Sequence, residues 1–275
     1  MKAVKPFLSF SLLVFSISIV FVAFSFYGIK LEFYVWEVLI DIRITAILIA
    51  AFYFAQRNHW GITLSALGLR KWNSRWNIAA FLFPLFLYAG VIIAGLALKS
   101  VHYAYLENTA TLTIAVLFDI PAVFFFSFST ILIEEIVFRG IFFSLLKEKA
   151  PFKITFFVSM LLWTVYSFSG VLQLPEINVQ SASYFLFFLI SIGIASAILF
   201  HIYDSIWVSY SFRVGIAVFT PVLIQNYFHD ADSFFISTNP LFMGDGLLVS
   251  FLCIASFLWL FWLKKPKTIS LSTQK

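Results

Sequence analysis

The chain has 275 residues, of which 62% are hydrophobic and only 11% charged, and its mean hydropathy is +0.98. That balance excludes a soluble globular domain and reads as a polytopic membrane protein. The net charge of +5 does not point to nucleic acid, because the basic residues gather at the edges of the apolar runs, where membrane boundaries are expected. A single cysteine, Cys253, excludes an intrachain disulfide and leaves the redox compartment unreadable.

In chain order, the first uncharged run is 7–27, preceded by Lys2 and Lys5. Its 21 residues exceed the apolar core of a signal peptide and no small-x-small site follows, so a retained span is predicted. The second span, 33–54, carries Glu37, Asp41 and Arg43. Glu37 and Asp41 share a helix face, a pairing that suits an ion-coupled transporter, although a place at the membrane edge is the simpler account. The basic loop 56–76, with Gly61 and Gly68, reads either as an interfacial amphipathic segment or as a plain solvated loop. A span at 78–98 follows. The run 112–146 is too long for one upright crossing of a roughly 30 Å core. A tilt is expected there, or a break at Asp119-Ile120-Pro121, where proline interrupts the backbone ladder. Segments 154–174, 184–200, 206–228 and Leu247–Leu263 complete a set of about eight transmembrane helices. The fold class is therefore all-α, a polytopic integral membrane protein with residues 1–275 as a single transmembrane domain. With the N-terminus inside, thirteen of the 18 Lys and Arg residues fall on the inner side and only Lys30 and Lys99 outside. This bias predicts a multi-pass plasma-membrane protein with both termini cytoplasmic.

The segment Glu134-Glu135-Ile136-Val137-Phe138-Arg139-Gly140 places three ionisable groups inside one of the most apolar stretches of the chain. Each such charge is penalised by several kcal/mol at a membrane centre (about 2.5–3.5 on insertion scales), so the group reads as a site or as an ion cluster that locks helix packing. On a helix, Glu135 and Arg139 stand at i, i+4 and can pair. Glu134 is turned about 100° away and needs another partner.

These residues resemble the first motif of the CPBP family, which includes CAAX prenyl endopeptidases of the Rce type, bacteriocin self-immunity proteins and related intramembrane glutamate proteases. The family pattern is EExxxR, then FxxxH on the next helix, then a histidine and an asparagine on a later one. Ser159-Met160-Leu161-Leu162-Trp163 reads like the second-motif helix, with Trp163 at the phenylalanine position. Gly193 and Ser205-Ile206-Trp207 read like the approach to the third, and Leu67-Gly68-Leu69-Arg70 like an upstream basic element. The resemblance covers 67–217 as a CPBP-like core and implies a Rce-type helical bundle. It also implies catalytic positions at Glu134, Glu135 and Arg139, with the first glutamate as general base for a water. Both family histidines are replaced: Ser167 stands at the second-motif position and Arg213 at the third, with Ala217 where the asparagine belongs. Serine cannot take up a proton near neutral pH as imidazole can, and arginine stays charged.

Arg213 needs a partner at its apolar depth. The resemblance puts it opposite the glutamates, and a pairing with Glu134, leaving Glu135 to Arg139, is expected; the alternative is that Arg213 snorkels to an interface. His59, His102, His201 and His229 lie in loops or at span ends, and none has the FxxxH spacing. No Cys/His ligand spacing, HExxH, GxSxG or phosphate-binding loop is present, so no metal and no cofactor is expected. The expected function is a catalytically silenced or altered CPBP homologue acting as a partner-binding, immunity or scaffold protein. The alternatives are an active CAAX-type endopeptidase using Glu134 and, behind both, an ion-coupled transporter. Expected partners are membrane lipid and, on the leading reading, a membrane peptide or partner membrane protein.

Overall fold

A computed structural model describes residues 16, 42, 45–50, 52–53, 56, 67–69, 71–103, 128–168, 179–224, 233–237 and 239–264. The expected spans 7–27 and 33–54, with Glu37, Asp41 and Arg43, lie almost wholly outside these residues, as does the expected break at 119–121.

In hydrocarbon every backbone polar group must be satisfied within the segment, so long apolar runs close into helices. Helix α1 is Ser74–Ala97, capped by the Asn73 side chain, which accepts from the Trp76 amide. It is followed by the short strand β1, Val101–Tyr103. Helix α2 runs through 128–149 and contains a π-helical stretch, Ile136–Phe143. Helix α3 is Phe152–Phe168, α4 is Val179–Tyr203 and α5 is Ile206–Leu223. Strand β2, Phe235–Ser237, a 3₁₀ turn at Pro240–Phe242 and helix α6, Leu247–Leu263, complete the described order. The protein is mostly helical, and among the described residues three helices are long and apolar enough to cross a membrane: Ser74–Ala97, Ala182–Tyr203 and Ile206–Leu223. Helices α3 and α6 are apolar but shorter.

Observed limits differ from the expected ones for local reasons. Helix α1 begins four residues earlier than the apolar run, because its first turn is polar and interfacial. Helix α5 stops at Leu223, two residues after Pro221, and Ile224 is extended. The all-α expectation misses one detail, a two-stranded antiparallel sheet in which Val101 faces Ser237 and Tyr103 faces Phe235. The pairing joins the segments that follow α1 and α5, and three residues a side is too short to read from a sequence.

Helix α1 packs most extensively on α5, and α4 on α6 and α3. Contact between α1 and α5 is close enough that a methyl group at Gly215 would lie 2.3 Å from the Phe81 carbonyl oxygen. Tyr88 donates to Thr220 Oγ1 at 2.5 Å, and Thr220 in turn donates to the Ile216 carbonyl, tying the two helices through a buried polar pair. Residues 67–69 are not a plain solvated loop, whereas Lys71 and Trp72 are exposed. Leu67 is buried, and Gly68 takes a left-handed φ of 71° that side chains disfavour.

Candidate functional site

The glutamates sit at the junction where α2 passes from α-helical to π-helical winding, with Glu135 as the last residue before the π stretch. Such stretches are rare and recur at functional sites, since the extra residue per turn re-aims the side chains around it. On α3, the Ser159 hydroxyl donates to the Phe138 carbonyl at 2.9 Å and fastens the neighbouring helix to this turn.

From α5 the polar side chains arrive at helical spacing. Ser209 and Arg213 stand four residues apart, which aligns them on one stripe of the helix, and Ser205, four residues before Ser209, is its extended N-cap. Arg213 reaches both carboxylates: its Nη2 lies 2.5 Å from Glu134 Oε2 and its Nη1 3.0 Å from Glu135 Oε1. Ser209 donates to Glu135 Oε2 at 2.6 Å, with the Ile206 carbonyl as a more distant competitor at 3.0 Å. From α3, the Trp163 indole N–H donates to Glu134 Oε2 at 2.9 Å. The Trp163 ring also lies under both guanidiniums, 4.9 Å from that of Arg139 and 4.6 Å from that of Arg213, a geometry that favours cations over the ring face.

Arg139 is fully buried. Its Nη1 stands 3.4 Å from Glu135 Oε1, one helical turn back, and among the described residues none of its three nitrogens has a hydrogen-bond partner. Its charge is therefore balanced while its donors are unspent. The formal charges of two carboxylates and two guanidiniums sum to zero, the condition under which such a cluster tolerates burial.

Both expected pairs, Arg213 with Glu134 and Arg139 with Glu135, are present, but the one-to-one division is corrected. Arg213 does not pair with Glu134 alone but bridges both glutamates, and it is 8% exposed, which removes the snorkelling alternative. A bidentate fork spans two adjacent carboxylates because the guanidinium presents parallel N–H groups, a match that spacing along one helix does not reveal. The two carboxylates differ in environment. Glu135 has no exposed surface, whereas Glu134 keeps 8%.

The other sequence-derived positions are not all brought together. Ser167 is half-buried one turn beyond Trp163 and makes no hydrogen bond to the cluster. Ala217 packs against an apolar group that includes Ile131, Tyr210 and Val214. His201 stacks on Phe152 at 4.0 Å, away from the glutamates, and His102 is exposed in β1; His59 and His229 lie outside the described residues. Among the described residues, no group of three or more His, Cys, Asp and Glu side chains is arranged to hold a metal. Sequence reasoning placed Trp163 by motif but did not give it a hydrogen bond, and it missed Ser209. The signal for Ser209 was its position midway between Ser205 and Arg213.

Residues 115–219 match the protein family described as Type II CAAX prenyl endopeptidase Rce1-like, a span that contains the glutamate pair, Trp163, Ser209 and Arg213. No curated protein and no solved structure matches the chain. Over residues 115–219, this membrane protein is therefore similar to Rce1-like proteins of the CPBP family.

Proposed function

We propose that this chain is a catalytically silenced CPBP homologue that keeps the intramembrane protease architecture to bind a membrane peptide or partner membrane protein, as an immunity or scaffold component does. The observation that carries this reading is the Arg213 clamp on Glu134 and Glu135. A carboxylate acts as general base only through a free lone pair, and one of the two Glu134 oxygens, Oε2, already accepts from both Arg213 and Trp163. Neither donor can take the proton onward, because guanidinium stays charged and indole N–H only donates. With Ser167 and Arg213 at the family's histidine positions, no neighbour among the described residues relays a proton. Losing such a group typically lowers a rate by ~10²–10⁴.

Purified protein incubated with a peptide library in detergent, with Glu134→Ala as control, decides the matter. No Glu134-dependent cleavage is expected. Ser167→His with Arg213→His and Ala217→Asn rebuilds the family's side chains, and any cleavage gained should vanish when Glu134→Ala is added.

One observation favours the second reading, an active endopeptidase: Glu134 is the carboxylate with exposed surface, so its free oxygen is the one a water can approach. Glu134-dependent cleavage by the unmodified chain would establish that reading and overturn the first.

A further inference from the structure

At one end of the bundle, the ends of α1, α4 and α6 meet around a single lysine. Helices α1 and α6 lie side by side with opposite chain direction: Phe83 meets Phe257 at 5.1 Å, and one heptad nearer the edge in each helix Trp76 meets Lys264. Lys264 Nζ stands 3.9 Å from the centre of the Trp76 ring and 4.5 Å from that of Tyr203, and it donates to the Tyr203 hydroxyl at 2.8 Å. Trp76 and Tyr203 are themselves in contact, with ring centres 5.0 Å apart. The ammonium is therefore seated on an aromatic floor, which attracts a cation to the ring face. Arg75 is exposed in the first turn of α1, and that turn carries no acidic residue.

The cations at this end differ in how they are balanced. Lys71 pairs with Asp204. Among the described residues, neither Lys264 nor Arg75 has a carboxylate at ion-pair distance. A lysine ammonium carries three N–H donors, and Tyr203 accepts from only one of those on Lys264. The level of these residues in the bilayer follows from α1, which is long and apolar enough to cross it. Exposed Trp72 and Trp76 at its start, with Trp262 exposed near the end of α6, mark the height of the lipid headgroups. A headgroup is thus the neighbour at this height, and cations without a carboxylate select a negative one. We propose that Lys264 and Arg75, with Trp76 and Tyr203 as the floor, form a binding site for the headgroup of an anionic phospholipid. Basic sites at the ends of packed transmembrane helices recognise such headgroups by charge. The site operates whether or not Glu134 turns over a peptide, since none of its residues belongs to the acid cluster.

The test titrates the full chain, in a neutral detergent, with phosphatidylglycerol or with phosphatidylcholine of the same acyl chains. Native mass spectrometry reads the dissociation constant of the first lipid bound. Phosphatidylglycerol is expected to bind roughly tenfold tighter than phosphatidylcholine, and Lys264→Gln or Arg75→Gln should each weaken it about fivefold, the usual effect of one basic residue on an anionic headgroup. Phosphatidylcholine binding should not change in either variant. Lys153→Gln, which removes an exposed charge at the start of α3, serves as the control and should leave both lipids unaffected. Equal weakening by Lys153→Gln would show diffuse attraction to a basic face and overturn the proposal. Equal affinity for the two lipids in the unmodified chain would do the same. Displacement of phosphatidylglycerol by millimolar inorganic phosphate would mark a site for the free anion instead of the lipid, and would also overturn it. If Lys264→Gln does not fold, the exposed Arg75→Gln decides.

Discussion

At Arg213, removal takes the nearest cation from two carboxylates, whereas removal of Glu134 frees only part of one guanidinium. Breaking a buried ion pair one partner at a time costs about 3–5 kcal/mol. Arg213→Met, chosen to keep volume, should therefore lower the melting temperature more than Glu134→Gln does. Combined, the two changes should destabilise less than their sum, because they share one contact. Additive losses in a thermal melt would show that the two do not interact. The same logic ranks the arginines. Glu135 retains Arg213 and Ser209 when Arg139 is lost, since Arg139 contributes only a 3.4 Å contact. Arg139→Met should thus be milder than Arg213→Met, and the reverse order in parallel melts would show that Arg139 has partners its geometry does not suggest. Trp163→Phe keeps a ring beneath both cations and removes one N–H. The expected loss is about 1–3 kcal/mol, the usual penalty of leaving a buried acceptor short of a donor.

At the scale of helices, α1 and α5 test whether close approach is required or incidental. Gly215 has the Phe81 carbonyl 2.3 Å from where its methyl would be, and backbone gives way poorly. Gly90, on α1, has nothing within 4 Å of the same position. Gly215→Ala should destabilise by roughly 1–3 kcal/mol through overpacking, and should not be rescued by shortening a side chain. Gly90→Ala should be neutral, or stabilising by up to about 1 kcal/mol from helix propensity. Equal melting temperatures for the two variants would mean that the helices can part without penalty. The π stretch has no comparable sequence signature. Ile136–Phe143 reads as an ordinary apolar helix, and its winding depends on what packs around it, including the Ser159 bond to Phe138.

For the whole molecule, orientation is the open physical question, and the architecture supplies better probes than the sequence does. Ser74 is exposed at the start of α1, where Trp76 meets Tyr203 at the end of α4. Val179, 85% exposed, opens α4 at its other end, about 36 Å away at 1.5 Å per residue. On a Cys253→Ser background in intact cells, Val179→Cys should react with an impermeant thiol reagent and Ser74→Cys should not. The opposite pattern would reverse the topology drawn from the basic residues. Lysine and tryptophan at the Ser74 end fit that assignment: Lys264 Nζ lies 3.9 Å from the Trp76 ring and 2.8 Å from the Tyr203 hydroxyl, a cation and aromatics grouped as at a membrane interface.

By itself the sequence determined the membrane class, the helical fold and the approximate position of the described spans. Those follow from uninterrupted apolar length, because hydrocarbon leaves the backbone no other way to satisfy itself. It also determined that Glu134, Glu135, Arg139 and Arg213 needed partners, since a charge in an apolar run is too costly to stand alone. The pairs Arg213–Glu134 and Arg139–Glu135 were expected and are present, but the further partners were decided only in three dimensions. Spacing along α2 offers Glu135 to Arg139, yet the shorter contacts come from Arg213, 78 residues on from Glu135, and from Ser209 and Trp163. The packing of Leu69 on Trp207 and the three-residue strands were likewise hidden, because their partners are remote in the chain and their own sequences carry no periodic signal. Local pattern reports what each segment must bury; only the packed helices fix which buried group answers which.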